Sequence, residues 1–212
     1  MRGAPPARVP WWGVASAVAA PVLLVGGWTW AQAVQPAPFD PVRQTISALA
    51  ATGTPNRVVM TVALLGLGVA HATTALALRP AARAGRLTLA VGGVATVLVA
   101  LLPLPWPSGS AAAHTATAST AFVALTVWPV LAARSRPDMP MALRRKAAGT
   151  ATLVLVLLVA WLLVELRSGG PAVGLSERVA AAAQALWPLA VVLSCRWSGH
   201  RRPPRAKVST TS

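Results

Sequence analysis

The chain has 212 residues, of which 55% are hydrophobic and only 11% charged, at a mean hydropathy of +0.61. A soluble domain carries about 25% charged residues, so this chain cannot cover a water-facing surface, and its apolar content excludes disorder over most of its length. One cysteine excludes a disulfide framework and any paired-cysteine metal or redox site. These figures describe an integral membrane protein. A net charge of +15 would suit nucleic acid in a soluble chain. Here Lys and Arg cluster in short segments between long uncharged runs, which is a topology signal and argues against a nucleic-acid partner.

A crossing helix needs about 20 apolar residues. Val9 to Phe39 holds no Asp, Glu, Lys or Arg and predicts a first span at residues 10–34. Val58 to Leu78, interrupted only by His71, predicts a second at 57–78. Leu87 to Ala133 is uncharged throughout and too long for one crossing. Its middle, Pro103-Leu-Pro-Trp-Pro-Ser-Gly-Ser110, reads as a turn and divides it into spans at 87–104 and 112–133. Ala147 to Val164 and Val179 to Cys195 seed the last two, at 147–166 and 177–196. The expected fold is all-α: a polytopic six-transmembrane-helix bundle over residues 1–197, followed by a basic, disordered tail at 198–212. Residues 2–33, ending in Ala31-Gln32-Ala33, also fit a signal peptide, but the hydrophobic run is longer than a signal core.

With the N-terminus inside, 15 of the 19 basic residues fall on the cytoplasmic side and only Arg43, Arg57, Arg167 and Arg178 outside. This predicts a multi-pass protein of the plasma membrane with both termini cytoplasmic. The tryptophans agree: Trp11, Trp12 and Trp197 at the inner interface, and Trp28, Trp30, Trp106 and Trp161 near the outer one. The inner basic segments would also attract anionic lipid headgroups. Helices in lipid need small residues to approach closely. Gly66, Ala70 and Thr74 offer one such lane, Gly92 and Thr96 another, and Ala111 to Thr120 is small on nearly every face, while Leu153 to Leu158 should face lipid.

The outer side carries three of the four carboxylates, where no topology rule demands them. In its first loop, Asp40-Pro41 is a helix start. Val42, Ile46, Leu49 and Ala50 then recur with helical period, predicting a short interfacial helix at 41–51 that Gly53 ends. Asp40, Arg43, Ser47, His114, Glu177 and Arg178 form the candidate outer cluster, either a ligand site or a structural clasp. His71, the ionisable residue inside a span, reads as a core histidine bonded to Thr73, Thr74 or a carbonyl, or as a functional group.

The run Phe39-Asp-Pro-Val-Arg-Gln-Thr-Ile-Ser-Ala-Leu-Ala-Ala-Thr-Gly-Thr-Pro-Asn56 after a first span, Pro103-Leu-Pro with His114 beyond it, and Gly174-Leu-Ser-Glu-Arg178 followed by Trp187-Pro188 resemble a bacterial membrane family catalogued as domain of unknown function 998. The resemblance covers residues 10–195. It implies six helices, with Asp40, Ser47, His114, Glu177 and Arg178 matching family motifs, and it brings no activity.

Zinc needs three or four converging ligands. His71 lies about 20 Å below the outer end of its helix at 1.5 Å per residue, too far to share an ion with His114. No metal and no cofactor is expected. Proton or ion transport is disfavoured because only His71 and Gln184 are polar beyond hydroxyls in the buried stretches. Cys195 reads as an inert small residue. Two readings stay open: a non-enzymatic bundle binding a lipid or a membrane protein partner through the outer cluster, and an outward-facing lipid-modifying hydrolase. Ser47, His114 and Asp40 would have to converge for the second, although no Gly-x-Ser-x-Gly elbow is present. Pairing of Asp40 with Arg178 and of Arg43 with Glu177 would indicate a clasp.

Overall fold

The computed structural model describes residues 9–105, 111–135 and 139–200, with side chains to Ser198. Trp106 to Ser110 of the proline-rich turn, Arg2, Arg8, Arg136, Asp138, the side chain of His200 and the tail from Arg201 lie outside the described residues. Among the described residues seven α-helices follow in order: α1 Trp11–Ala33, α2 Ile46–Leu49, α3 Val58–Ala77, α4 Arg83–Leu101, α5 Ala112–Ala132, α6 Arg145–Ser168 and α7 Val173–His200, with a 3-10 turn at Met141–Leu143 before α6. All but α2 are long and apolar enough to cross a membrane. No strand occurs among the described residues.

The six long helices form a closed ring in which α1 packs on α3, α3 on α4, α4 on α5, α5 on α6, α6 on α7 and α7 on α1. Missing side chains set the closest approaches. A Cβ at Gly93 would sit 2.6 Å from the Gly68 carbonyl oxygen and 2.8 Å from the Ala72 nitrogen, so α3 and α4 touch backbone to backbone. Gly13 and Gly27 of α1 face Ala77 and Ala63 of α3, and Gly85 of α4 faces Ala132 of α5. Of the lanes expected from sequence, Gly66 receives Leu23, Gly92 receives Leu125, and Thr74 meets Ser16 hydroxyl to hydroxyl at 2.8 Å. The small stretch opening α5 departs from expectation. Ala112, Ala113, Thr115, Ala116, Ser119 and Thr120 are exposed, because little of α7 lies against this part of α5. Thr117 and Thr120 satisfy their hydroxyls on carbonyls of their own helix instead. α6 is the most peripheral helix; Leu153, Val154, Val156 and Leu157 are exposed and Leu155 alone in that run is buried.

Helix ends shift from the sequence reading where a side chain has work to do there. α4 starts four residues earlier than expected, which brings Arg86 into the helix. Its Nε donates to the Ala75 carbonyl (2.9 Å) and its Nη2 to the Leu76 carbonyl (3.1 Å), two of the carbonyls that the end of α3 leaves open. Arg86→Leu should therefore lower stability by about 2 kcal/mol, read as a lower Tm in detergent, whereas Arg83→Ala, at an exposed position, should leave Tm unchanged. α7 likewise starts four residues early, at Val173, so Glu177 and Arg178 lie in its second turn rather than at its start.

Candidate functional site

Between α1 and α3 the chain runs across one mouth of the ring. The expected helix over 41–51 forms only at Ile46–Leu49, with Thr45 as its N-cap accepting from the Ala48 N–H at 3.1 Å. The reason lies in α7. A helix through residue 41 would use the Pro41 carbonyl for its own ladder, but Arg178 takes it: Nη1 donates to the carbonyls of Pro41 (2.8 Å), Gln44 (2.7 Å) and Gly174 (3.0 Å). Asp40 caps a turn instead, accepting from the N–H groups of Val42 (2.9 Å) and Arg43 (3.2 Å).

The next residue along α7, toward its start, holds the other end of the segment. Glu177 accepts from the Ile46 N–H through Oε2 and from the Ser47 hydroxyl through Oε1 at 3.1 Å. The Leu175 N–H, one of those left open by the first turn of α7, donates to the Val42 carbonyl at 3.0 Å. Gly174 allows this seating, since a Cβ there would run into the Gln44 and Pro41 carbonyl oxygens. The guanidinium of Arg178 also lies over the rings of Trp28 and Phe39, 5.9 and 5.6 Å from their centroids, a favourable contact for a desolvated cation. Glu177 and Arg178 are both buried. Residues 39–47 are thus strapped to α7 as a lid.

The sequence candidates separate into two groups. Ser47, Glu177 and Arg178 come together. Asp40 and Arg43 stay on the surface as an exposed pair at 3.6 Å, a kind that contributes little. His114 is buried elsewhere, its Nδ1 on the Leu102 carbonyl at 2.8 Å, tying the start of α5 to the end of α4. The Ser47–His114–Asp40 convergence required of a hydrolase is therefore absent, since each of the three is engaged by a different partner. The clasp exists, but not through the expected pairs: Arg178 holds backbone carbonyls rather than Asp40, and Glu177 holds Ile46 and Ser47 rather than Arg43. Glu165 closes the neighbouring turn, accepting from the Ala172 N–H (2.9 Å) and the Trp161 indole (3.2 Å).

Under the lid lies a cavity of about 70 Å³, room for a few waters or a small functional group. Ile46, Ser47 and Glu177 form its roof; Leu24, Leu64, Leu67, Val99, Ala121 and Leu125 make an apolar wall; His71, Thr96 and Gln184 add polar atoms. His71 is 1% exposed, with Nδ1 on the Leu67 carbonyl at 3.3 Å and Nε2 without a hydrogen-bond partner. Of the partners weighed for this histidine, a carbonyl holds it. Gln184 bridges α7 to α5, donating to the Phe122 carbonyl and the Thr126 hydroxyl, both at 2.9 Å. Wall residues Ala118, Phe122 and Ala181 are only half-buried, so the cavity comes nearest the outside of the bundle between α5 and α7. Thr96 joins the cavity although its place in the chain suggests packing alone. The cavity itself leaves no periodic trace, and only the polarity of His71 and Gln184 within apolar runs could have marked it. Among the described residues no three His, Cys, Asp or Glu side chains gather to hold a metal ion.

Residues 17–194 match the family described as a protein of unknown function (DUF998). The chain belongs to that family. No curated protein and no solved structure matches it. The DUF998 region contains the lid, the α7 segment that straps it and every residue lining the cavity.

Proposed function

We propose that this DUF998 protein is a non-enzymatic membrane protein that receives the polar end of an amphiphile in the cavity beneath its lid. The carrying observation is the unpartnered Nε2 of His71, buried in a mostly apolar lining that also holds Ser47, Glu177, Thr96 and Gln184. A buried polar atom without a partner is costly, and a ligand would relieve that cost. The weak seam between α5 and α7, flanked by the small exposed residues that open α5, supplies an approach for the ligand's chain from the bilayer. A membrane segment of a partner protein is the competing occupant of that seam. The basic bias of the sequence supports a plasma-membrane placement with both termini cytoplasmic and the lid outside.

At the end of the bundle where α7 finishes, Met139, Met141, Arg144, Leu193, Arg196 and Trp197 line a broad groove. Its mixture of apolar floor and guanidinium groups suits anionic phospholipid in that leaflet.

Native mass spectrometry with lipidomics tests the central reading. Wild type should retain a lipid, Asp40→Ala should retain it equally, and Ala121→Phe, which fills the cavity from a buried wall position, should lose it. Equal lipid in wild type and Ala121→Phe would refute the cavity as the site. Chemical turnover of the retained lipid would replace binding by hydrolysis as the function.

A further inference from the structure

The hydrogen bonds around the cavity determine what polar group it can take. A carbonyl oxygen only accepts, so the contact between His71 Nδ1 and the Leu67 carbonyl places the proton of the neutral ring on Nδ1. Nε2, the buried atom without a partner, is left as a bare lone pair. Gln184 spends both amide hydrogens, on the Phe122 carbonyl and the Thr126 hydroxyl, which leaves its carbonyl oxygen. The Thr96 hydroxyl donates its one hydrogen to the Gly92 carbonyl at 2.8 Å, and the Ser47 hydroxyl donates its own to Glu177. Both Glu177 oxygens accept, from the Ile46 N–H and the Ser47 hydroxyl, and each keeps a further lone pair. These five are the polar side chains of the cavity, and their hydrogens are committed within the protein. Arg178, next to Glu177, spends its Nη1 on the lid carbonyls, keeps Nε and Nη2 buried without a partner, and lines no part of the cavity.

We infer that the cavity selects a hydrogen-bond donor, the hydroxyl or amine end of a single-headed lipid, and rejects phosphate and carboxylate ends; this rests on the amphiphile-binding reading above. A hydroxyl or amine gives its hydrogens to lone pairs that have no other donor. A phosphate or carboxylate sets acceptors against acceptors beside Glu177, with no cation inside the cavity to pair with it.

The test uses the full chain in nanodiscs with four probes sharing one sixteen-carbon tail: hexadecanol, hexadecylamine, hexadecyl phosphate and hexadecanoate. Retention is read by native mass spectrometry for wild type, His71→Leu, Thr96→Val and the filled-cavity Ala121→Phe. Hexadecanol or hexadecylamine should be retained at least tenfold more than the phosphate and the carboxylate, and which of the two leads identifies the headgroup. His71→Leu and Thr96→Val should each reduce that retention while keeping the wild-type helical signal, so either variant suffices if the other fails to fold. Phosphate or carboxylate retained as well as the alcohol, and lost in Ala121→Phe, would overturn the donor rule while leaving the cavity as a site. Retention of every probe unaffected by Ala121→Phe would overturn the amphiphile reading itself.

Discussion

Replacing Arg178 by leucine is expected to release the lid. One guanidinium nitrogen, Nη1, contacts three carbonyls, two of them on the lid and one on α7, and the buried group lies over the rings of Trp28 and Phe39. Its removal strands those carbonyls and leaves the Glu177 carboxylate beside it without a neighbouring cation, a change that costs about 3 kcal/mol or more. At about 1.4 kcal/mol per factor of ten, the open state of the lid should rise roughly a hundredfold. Hydrogen exchange should report this as lost protection at Ile46 and neighbouring amides, with α3 and α4 unchanged. Gly174→Leu should give the same pattern by a different route, pushing the Pro41 and Gln44 carbonyls off α7. Arg43→Ala, on an exposed side chain, should leave exchange within error of wild type. Equal protection in wild type and Arg178→Leu would show that the lid is held without Arg178, by Glu177, the Leu175 N–H and its apolar contacts.

The second large effect is expected at the α3–α4 crossing. Gly68 and Gly93 bring two backbones into direct contact, and the nearest atom a side chain would meet at either is a backbone carbonyl oxygen that cannot rotate away. Gly93→Val should cost about 3 kcal/mol or more and sharply reduce the yield of folded, monodisperse protein. Gly68→Ala should be the milder of the two. Because both substitutions force the same pair of helices apart, the double variant should lose less than the sum of the singles. Gly149 on α6 provides the contrast: a Cβ added there would meet nothing within 4 Å, so Gly149→Ala should be neutral or slightly stabilising through helix propensity, as thermal unfolding would show.

The span count was legible because the bilayer imposes a length and a hydropathy on every crossing, and these are local properties of the chain; family membership was legible from short motifs in their order. The lid was legible in part. Asp40-Pro41 and the apolar period after it resemble a helix start, but the choice between a helix and a strapped turn was made by Glu177 and Arg178, more than 130 residues away in the chain. The pairing rule expected for the clasp failed for the same reason: charged side chains were matched with one another, while the actual partners are mostly backbone groups that every residue carries. Gly68 and Gly93 could not be told from other small residues, since closeness depends on the crossing point of two helices. The cavity depends on five helices and the lid together, so no single segment announces it.

The most direct test of a lipid end held beneath the lid is photocrosslinking in native membranes, with benzoylphenylalanine placed at Phe122 or at Val123. Phe122 lines the cavity, while Val123, the next residue, is 59% exposed and faces the surroundings of the bundle. The expected result is one dominant hydroxyl- or amine-ended lipid captured at position 122 and the bulk lipid profile at position 123. Identical lipid profiles at the two positions would contradict a selective site in the cavity.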